Sequence, residues 1–252
     1  MISVIVCSRC EPHWKSHEEN VATTIGAPCE YLRIDNKENR LGLCAAYNEG
    51  VARSSGDILV FVHEDAFFLE PGWGAVLERK FAEPAVGLIG VAGTQYLMEN
   101  DLRWHQAGQP FIRGRVIHDL RTRGIYALSV MSWDKADAEV VAADGVFLAI
   151  RASLFDRVCF DEDAFGGFHF YDLDICMQVR RHARCIVTWD VLVVHFSEGM
   201  RDEGWNAAAQ AFREKYAAWL PVSCAAGRPD PNRAIPAKDY DIKGKVPQLD
   251  IG

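Results

Sequence analysis

Three stretches of this chain place groups that bind cations or move protons where an α/β protein would use them. The apolar run Asp57–Val62 leads directly into His63-Glu64-Asp65, so chelating side chains follow a buried strand without a spacer. Asp35-Asn36 ends an earlier strand-like run, and His195 ends a later one. In an open α/β sheet, ligands bind beyond the carboxyl ends of the strands, where these groups fall. Carboxylate oxygens suit Mg2+ or Mn2+, and an imidazole shifts the preference toward Mn2+. Any one of these residues alone is better read as a solvated group at a strand end. Together they favour a divalent-cation site.

The second constellation is Gly166-Gly167-Phe168-His169-Phe170-Tyr171-Asp172-Leu173-Asp174. Carboxylates at a helix N-terminus are stabilised by its free N–H groups and its macrodipole, so Asp172 serving as an N-cap is a complete structural account. The alternative is a carboxylate walled by Phe168, Phe170 and Tyr171, partly desolvated and able to act as a general base. Spacing alone leaves both open.

These groups need a scaffold, and the N-terminal half supplies one. Short β-like runs alternate with helical patterns, as in βαβ units around a mostly parallel sheet flanked by helices. Ile2–Ser8, Glu30–Ile34, Asp57–Val62 and Val86–Val91 are expected strands. Pro12–Ile25 and Leu43–Ser54 are expected helices, and Pro71 is expected to open the next one. Residues 95–138, with many aromatics and arginines but little periodicity, are expected to be hairpins and loops beside a cleft. Within them Trp104 and Trp133 are read as local core or as flat faces on which a ligand ring stacks, and Arg113, Arg115, Arg121 and Arg123 as groups that meet anions or only solvate a loop. Glu139–Ile150 returns to strands, Asp172–His182 is an expected helix, Ile186–Thr188 and Val191–His195 are strands, and Asp202–Leu220 is a long amphipathic helix. Residues 221–252 hold five of the ten prolines and read as a tail that wraps the body or is disordered.

Composition narrows the class. The chain has 252 residues, 49% hydrophobic and 25% charged, with a formal charge of −8. Those values fit a soluble globular domain, and the acidic balance argues against nucleic-acid partners. No secretory leader and no membrane-spanning stretch is evident, which points to a cytoplasmic protein with at most peripheral membrane contact. Eight cysteines scattered among apolar runs read as reduced thiols. Cys7 and Cys10 lack the second pair that a zinc site would need.

As an ordered set, these segments resemble the family 2 glycosyltransferases. The set comprises the first strand, Ile34-Asp35-Asn36, Phe61-Val62-His63-Glu64-Asp65, Asp144-Gly145-Val146-Phe147, His169 to Asp174 and Val194-His195. The likeness is to a bacterial glycosyltransferase-like branch with a His-x-Asp motif and an aromatic-Tyr-Asp-x-Asp segment. It covers roughly residues 1–220 and implies one nucleotide-diphospho-sugar transferase domain of GT-A fold, in which a single sheet supplies both donor and acceptor sites, followed by the Pro-rich tail. The resemblance further implies that Asp35 and Asn36 meet the nucleoside, that Glu64 and Asp65 face the donor diphosphate, and that Asp65 and His195 hold Mn2+ or Mg2+. Asp172 matches the catalytic base of an inverting transfer, while Asp144, Gly145, His169 and Tyr171 fall on the acceptor side. The implied donor is a nucleotide sugar, a UDP-sugar by default, and the implied acceptor a saccharide or glycolipid-type hydroxyl. Two departures, His63 for the first acid of Asp-x-Asp and Tyr171 for a glutamate, keep a rival open: a non-catalytic carbohydrate- or nucleotide-binding protein on a degenerate GT-A fold.

Overall fold

The computed structural model describes residues 1–9, 11–120, 125–196, 202–230 and 238–241. Cys10, Arg121 and Arg123 therefore lie outside the described residues. The chain opens β1 (Ile2–Ser8), α1 (Glu11–Thr24), β2 (Cys29–Asp35), α2 (Leu43–Arg53) and β3 (Ile58–Val62). It continues with β4 (Ala66–Phe68), α3 (Trp73–Phe81), β5 (Val86–Gly90), β6 (Ala92–Thr94), β7 (Tyr96–Leu97), β8 (Ile112–Leu120) and β9 (Ile125–Val130). Then follow β10 (Ala138–Glu139), β11 (Ala142–Ala143), β12 (Phe147–Arg151), α4 (Tyr171–Val179), β13 (Arg184–Val187), β14 (Val193–His195) and α5 (Glu203–Lys215). Two short strands, β15 (Val222–Ser223) and β16 (Lys238–Asp241), close the described chain.

The main sheet has seven strands in the order β10-β13-β5-β12-β3-β1-β2. β1, β2, β3, β5 and β13 share one direction, and β12 and β10 run against them. Its apolar strands are continuous because both faces are covered. Ile58, Val60 and Val62 of β3 point into one core with Leu77 and Phe81 of α3, whereas Leu59 and Phe61 point into the other with Tyr47 of α2 and Phe212 of α5. The two-residue period of a strand thus builds two cores from one run.

A second sheet, β11-β6-β8-β14-β4, with β9 paired to β8, stands against the end of the first. Residues 95–138 supply much of it through the β8–β9 pair, so the expected hairpins are strands of this sheet. The segment 221–252 is not a free tail in its described part. β15 pairs antiparallel with β7 in a two-stranded sheet of its own, and β16 pairs antiparallel with β9 at the edge of the second sheet.

Three local expectations need correction. Pro71 does not open a helix; it precedes Gly72, whose positive φ of 86° turns the chain into α3 at Trp73. His195 ends a strand of the second sheet, not of the main one, so the site is not built by a single sheet. Asp172 is not an N-cap, because α4 begins at Tyr171 and Phe170 occupies the capping position. Among the described residues, seven cysteines are unpaired and no helix is long and apolar enough to cross a membrane.

Asp174, also at the start of α4, faces away from any cleft. It is 1% exposed. Lys215 Nζ lies 2.6 Å from its carboxylate, and the Tyr216 hydroxyl and Gln178 amide donate to it at 2.6 and 2.7 Å. This pair, buried at its aspartate and open to solvent at Lys215, which Asp161 shares, ties α5 to α4. Removing one member of such a pair strands the other charge in a low dielectric. Lys215→Ala is therefore expected to destabilise the fold by about 1 kcal/mol in urea melts at neutral pH, since solvent reaches the lysine and Asp174 keeps its other two donors. Adding Asp174→Asn to that variant should recover part of the loss.

Candidate functional site

Parallel register brings the carboxyl ends of the strands to one rim. Ser8 of β1 pairs with Asp35 of β2, and β3 ends beside them at Val62. Because β12 runs the other way, its beginning lies on the same rim: Phe147 pairs with Val62, so Asp144-Gly145-Val146 arrive there too. Only His63-Glu64-Asp65 separate β3 in the first sheet from β4 in the second. In that second sheet β4 pairs antiparallel with β14, setting Ala66 opposite His195, and Phe196 N–H donates to the Asp65 carbonyl at 2.9 Å. Asp65 and His195, 130 residues apart, meet for that reason.

Nδ1 of His63, Oδ1 of Asp65 and Nε2 of His195 form a triangle with sides of 3.4, 3.5 and 4.0 Å. Atoms sharing one divalent ion at about 2.1 Å stand roughly 3.0–3.5 Å apart, so a small contraction closes the triangle on a first-row cation. Two imidazoles and one carboxylate suit Mn2+ better than Mg2+. His63 is the member missing from the sequence-based ligand set. Its signal was the two-residue step to Asp65, which puts both side chains on one side of an extended segment.

Electrostatics divides the roles. Burial opposes the charge of Asp65, but the hydrogen-bonded and charged His195, helped by His63, brings its carboxyl down to about 2. His195 responds in kind: burial lowers its affinity for a proton, yet Asp65 raises it above the usual histidine value. His63 goes the other way, held below that value first by burial and then by the charge of His195.

Asp172 lies on the other side of the same rim. Its Oδ2 accepts from Gly145 N–H at 3.0 Å and its Oδ1 from Leu173 N–H at 2.9 Å. Burial, and then the charge of Asp144, push its carboxyl up to about 7 in spite of those two hydrogen bonds. Phe170 aims it. This residue sits in the left-handed region at φ 65°, a conformation that a bulky side chain adopts under constraint, and it is clamped against Trp205 and Phe212. Gly145 has to be glycine, since a Cβ there would stand 2.0 Å from the Tyr171 hydroxyl.

The remaining expected site residues divide. Asp35 is exposed at the rim, its Oδ1 near Arg33 and accepting from Lys37 N–H, and Glu64 accepts from Arg9 N–H at 2.9 Å. Asn36 is 3% exposed and uses both ends of its amide on the Leu41 backbone, so its side chain holds the 36–41 loop. Asp144 receives the Trp104 indole N–H at 3.1 Å. Trp104 is thus held against the rim, whereas Trp133 is 58% exposed. His169 does not join the base; it pairs at 3.0 Å with Asp202, the residue capping α5. Tyr171 is 4% exposed and puts its hydroxyl 2.7 Å from Nε2 of His63, so it faces the His63-Asp65-His195 triangle. Arg113 pairs with Asp134, and Arg115 with the Trp189 carbonyl, leaving neither committed to a ligand.

A family model described as "Glycosyltransferase like family" matches residues 3–216. A curated relative from Fuscovulum blasticum, ATP synthase subunits region ORF 6, is 24% identical over 208 residues, covering 79% of this chain and 77% of that protein. Among solved structures, GalNAc-T7 with UDP, GalNAc and Mn2+ aligns with a TM-score of 0.57 at 11% identity over 87% of this chain and 48% of that one. A mannosyltransferase from Pyrobaculum calidifontis in complex with GDP-Man and Mn2+ aligns with a TM-score of 0.52 at 16% identity over 91% of this chain and 66% of that one. The chain thus spans about half the length of the first structure and about two thirds of the second, and what it shares with them is the GT-A fold. With the family model covering most of its length, this chain belongs to the glycosyltransferase-like family.

Proposed function

We propose that this protein transfers a sugar, with inversion, from a nucleotide-sugar donor to a hydroxyl of a saccharide or glycolipid-type acceptor, and that Asp172 is its general base. One observation carries the reading: the His63-Asp65-His195 triangle, spaced for a cation, and the Asp172 carboxyl, pushed up by burial and by Asp144, share one rim, joined through Tyr171 and the Asp144-Gly145 turn. A base is most effective when its pKa lies near the working pH. The two structural neighbours, one holding UDP and the other GDP-Man, both with Mn2+, support a nucleotide-sugar donor.

In this reading Asp172 takes the acceptor hydroxyl proton as that oxygen bonds to the anomeric carbon. The bond from that carbon to the donor diphosphate breaks, and its electron pair leaves on the diphosphate oxygen. His63, Asp65 and His195 would hold Mn2+, or less favourably Mg2+, which supplies Lewis-acid stabilisation of the leaving group. Asp35 and Glu64 line the donor side of the rim, and Asp144 with Gly145 forms the floor beneath the acceptor. The local acidity makes a cation necessary, because an anionic diphosphate would otherwise be repelled.

Release of nucleoside diphosphate from a panel of nucleotide sugars, with and without Mn2+, tests the activity. Asp172→Asn should lower kcat by ~10²–10⁴ while nucleotide affinity holds; near-normal turnover in that variant would refute the base.

Asp65→Ala is expected to abolish the gain in nucleotide affinity that Mn2+ gives the wild type, and to raise metal-free affinity modestly by removing one repelling charge. Nucleotide titrations in Mn2+ and in EDTA read both quantities.

The raised carboxyl of Asp172 also sets a pH dependence. Its active form is the anion, so kcat/KM should fall as pH drops below about 7. For stability the sign reverses. A carboxyl whose folded pKa exceeds its unfolded one contributes stability at low pH that is lost as pH rises through about 7. The Tm of metal-free Asp172→Asn, measured relative to wild type, should therefore be more favourable at pH 8 than at pH 5.

A further inference from the structure

The feature of the rim that the proposed chemistry leaves unused is the Tyr171 hydroxyl. It is buried, and its ring packs against Tyr47 with centroids 5.6 Å apart, so it reaches no acceptor. Its hydrogen-bond partner is Nε2 of His63 at 2.7 Å. The other ring nitrogen of His63, Nδ1, is the one that faces Asp65 and His195. A histidine that ligates through one nitrogen carries a proton on the other, and that N–H needs an acceptor of fixed position to hold the ring plane. The phenol oxygen is in place to be that acceptor. Space for it is kept by Gly145, whose backbone N–H also holds Asp172.

We propose that Tyr171 is a positioning residue for the cation: it accepts from His63 Nε2–H, which presents Nδ1 to the metal and fixes the ring. The proposal rests on the metal-dependent reading above. Tyr171 precedes Asp172 directly, so one dipeptide at the start of α4 holds a ligand of the cation and carries the proposed base. Tyrosine here does work that an acid at the same position would do with a charge, namely orienting a ligand, and it does so while staying neutral beside Asp144 and Asp172.

Mn2+ titrated calorimetrically into metal-free wild type and Tyr171→Phe, without nucleotide, tests the assignment. The variant keeps the ring and loses the acceptor, so it should bind Mn2+ about tenfold more weakly. Saturating Mn2+ should then restore its kcat to the wild-type value. Equal Mn2+ affinities would overturn the proposal and leave the metal reading standing. Failure of the wild type to bind Mn2+ would overturn both. A kcat that stays depressed at saturating Mn2+ would also overturn it, in favour of a direct role in the reaction. An independent measurement needs no variant: in wild type loaded with Zn2+ as a diamagnetic probe, histidine nitrogen NMR should show His63 protonated at Nε2, and protonation at Nδ1 would sink the idea.

Discussion

At the rim, His63, Glu64 and Asp65 carry the chain from the main sheet into the second, and two of them offer cation-binding groups. A strand leaving one sheet and entering another within three residues cannot wander, so His63, Glu64 and Asp65 have little freedom in where they point. The antiparallel pairing of β4 with β14 then delivers His195 to Asp65 from far along the chain. The reversed strand β12 delivers the Asp144-Gly145 turn to the same place, where His63 N–H donates to the Val146 carbonyl at 3.3 Å. Everything proposed for the site depends on that junction.

Two carboxylates within this rim are driven in opposite directions by their surroundings. Asp65 is held as an anion by imidazoles, and Asp172 is pushed toward neutrality by burial and by Asp144. Environments that separate like groups in this way assign them different tasks. One carboxylate suits a cation, and the other suits a proton. The overall charge of −8 says little by itself, but acids concentrated at one rim create a local demand for a cation if an anionic ligand is to enter.

The rest of the molecule keeps these groups still. Tyr47, Phe61, Phe160 and Tyr171 form a tilted aromatic cluster beneath the rim, with centroid separations from 4.8 to 6.5 Å. Such packing restricts the Tyr171 ring before any hydrogen bond is made. On the far side of α4, the pairing of buried Asp174 with Lys215 anchors α5, and α5 in turn clamps the left-handed Phe170 through Phe212. Strain at Phe170 is sustained because buried neighbours on α5 leave it no alternative.

Much of this was legible in the residues alone. Continuous apolar runs bounded by acids marked the strands of a sheet covered on both faces, and the acids at their ends marked the rim, because those are signals of local period and of chemical type. The resemblance built on them named the family that the comparisons then matched. What could not be read was direction and distance. Asp172 and Asp174 are two residues apart at one helix start, yet one faces the rim and the other pairs with Lys215 of α5; a helix turns about 100° per residue, and which side is inward is set by what packs there. Asn36 looked like a ligand-binding amide and is spent on a loop, while His63 looked like a lost acid and completes a triangle of donors. Residue types and their order determined the fold class and the candidate chemistry. The pairing of two sheets, the reversal of β12 and the seating of α5 decided which groups meet, because long-range register places side chains that local pattern can only nominate.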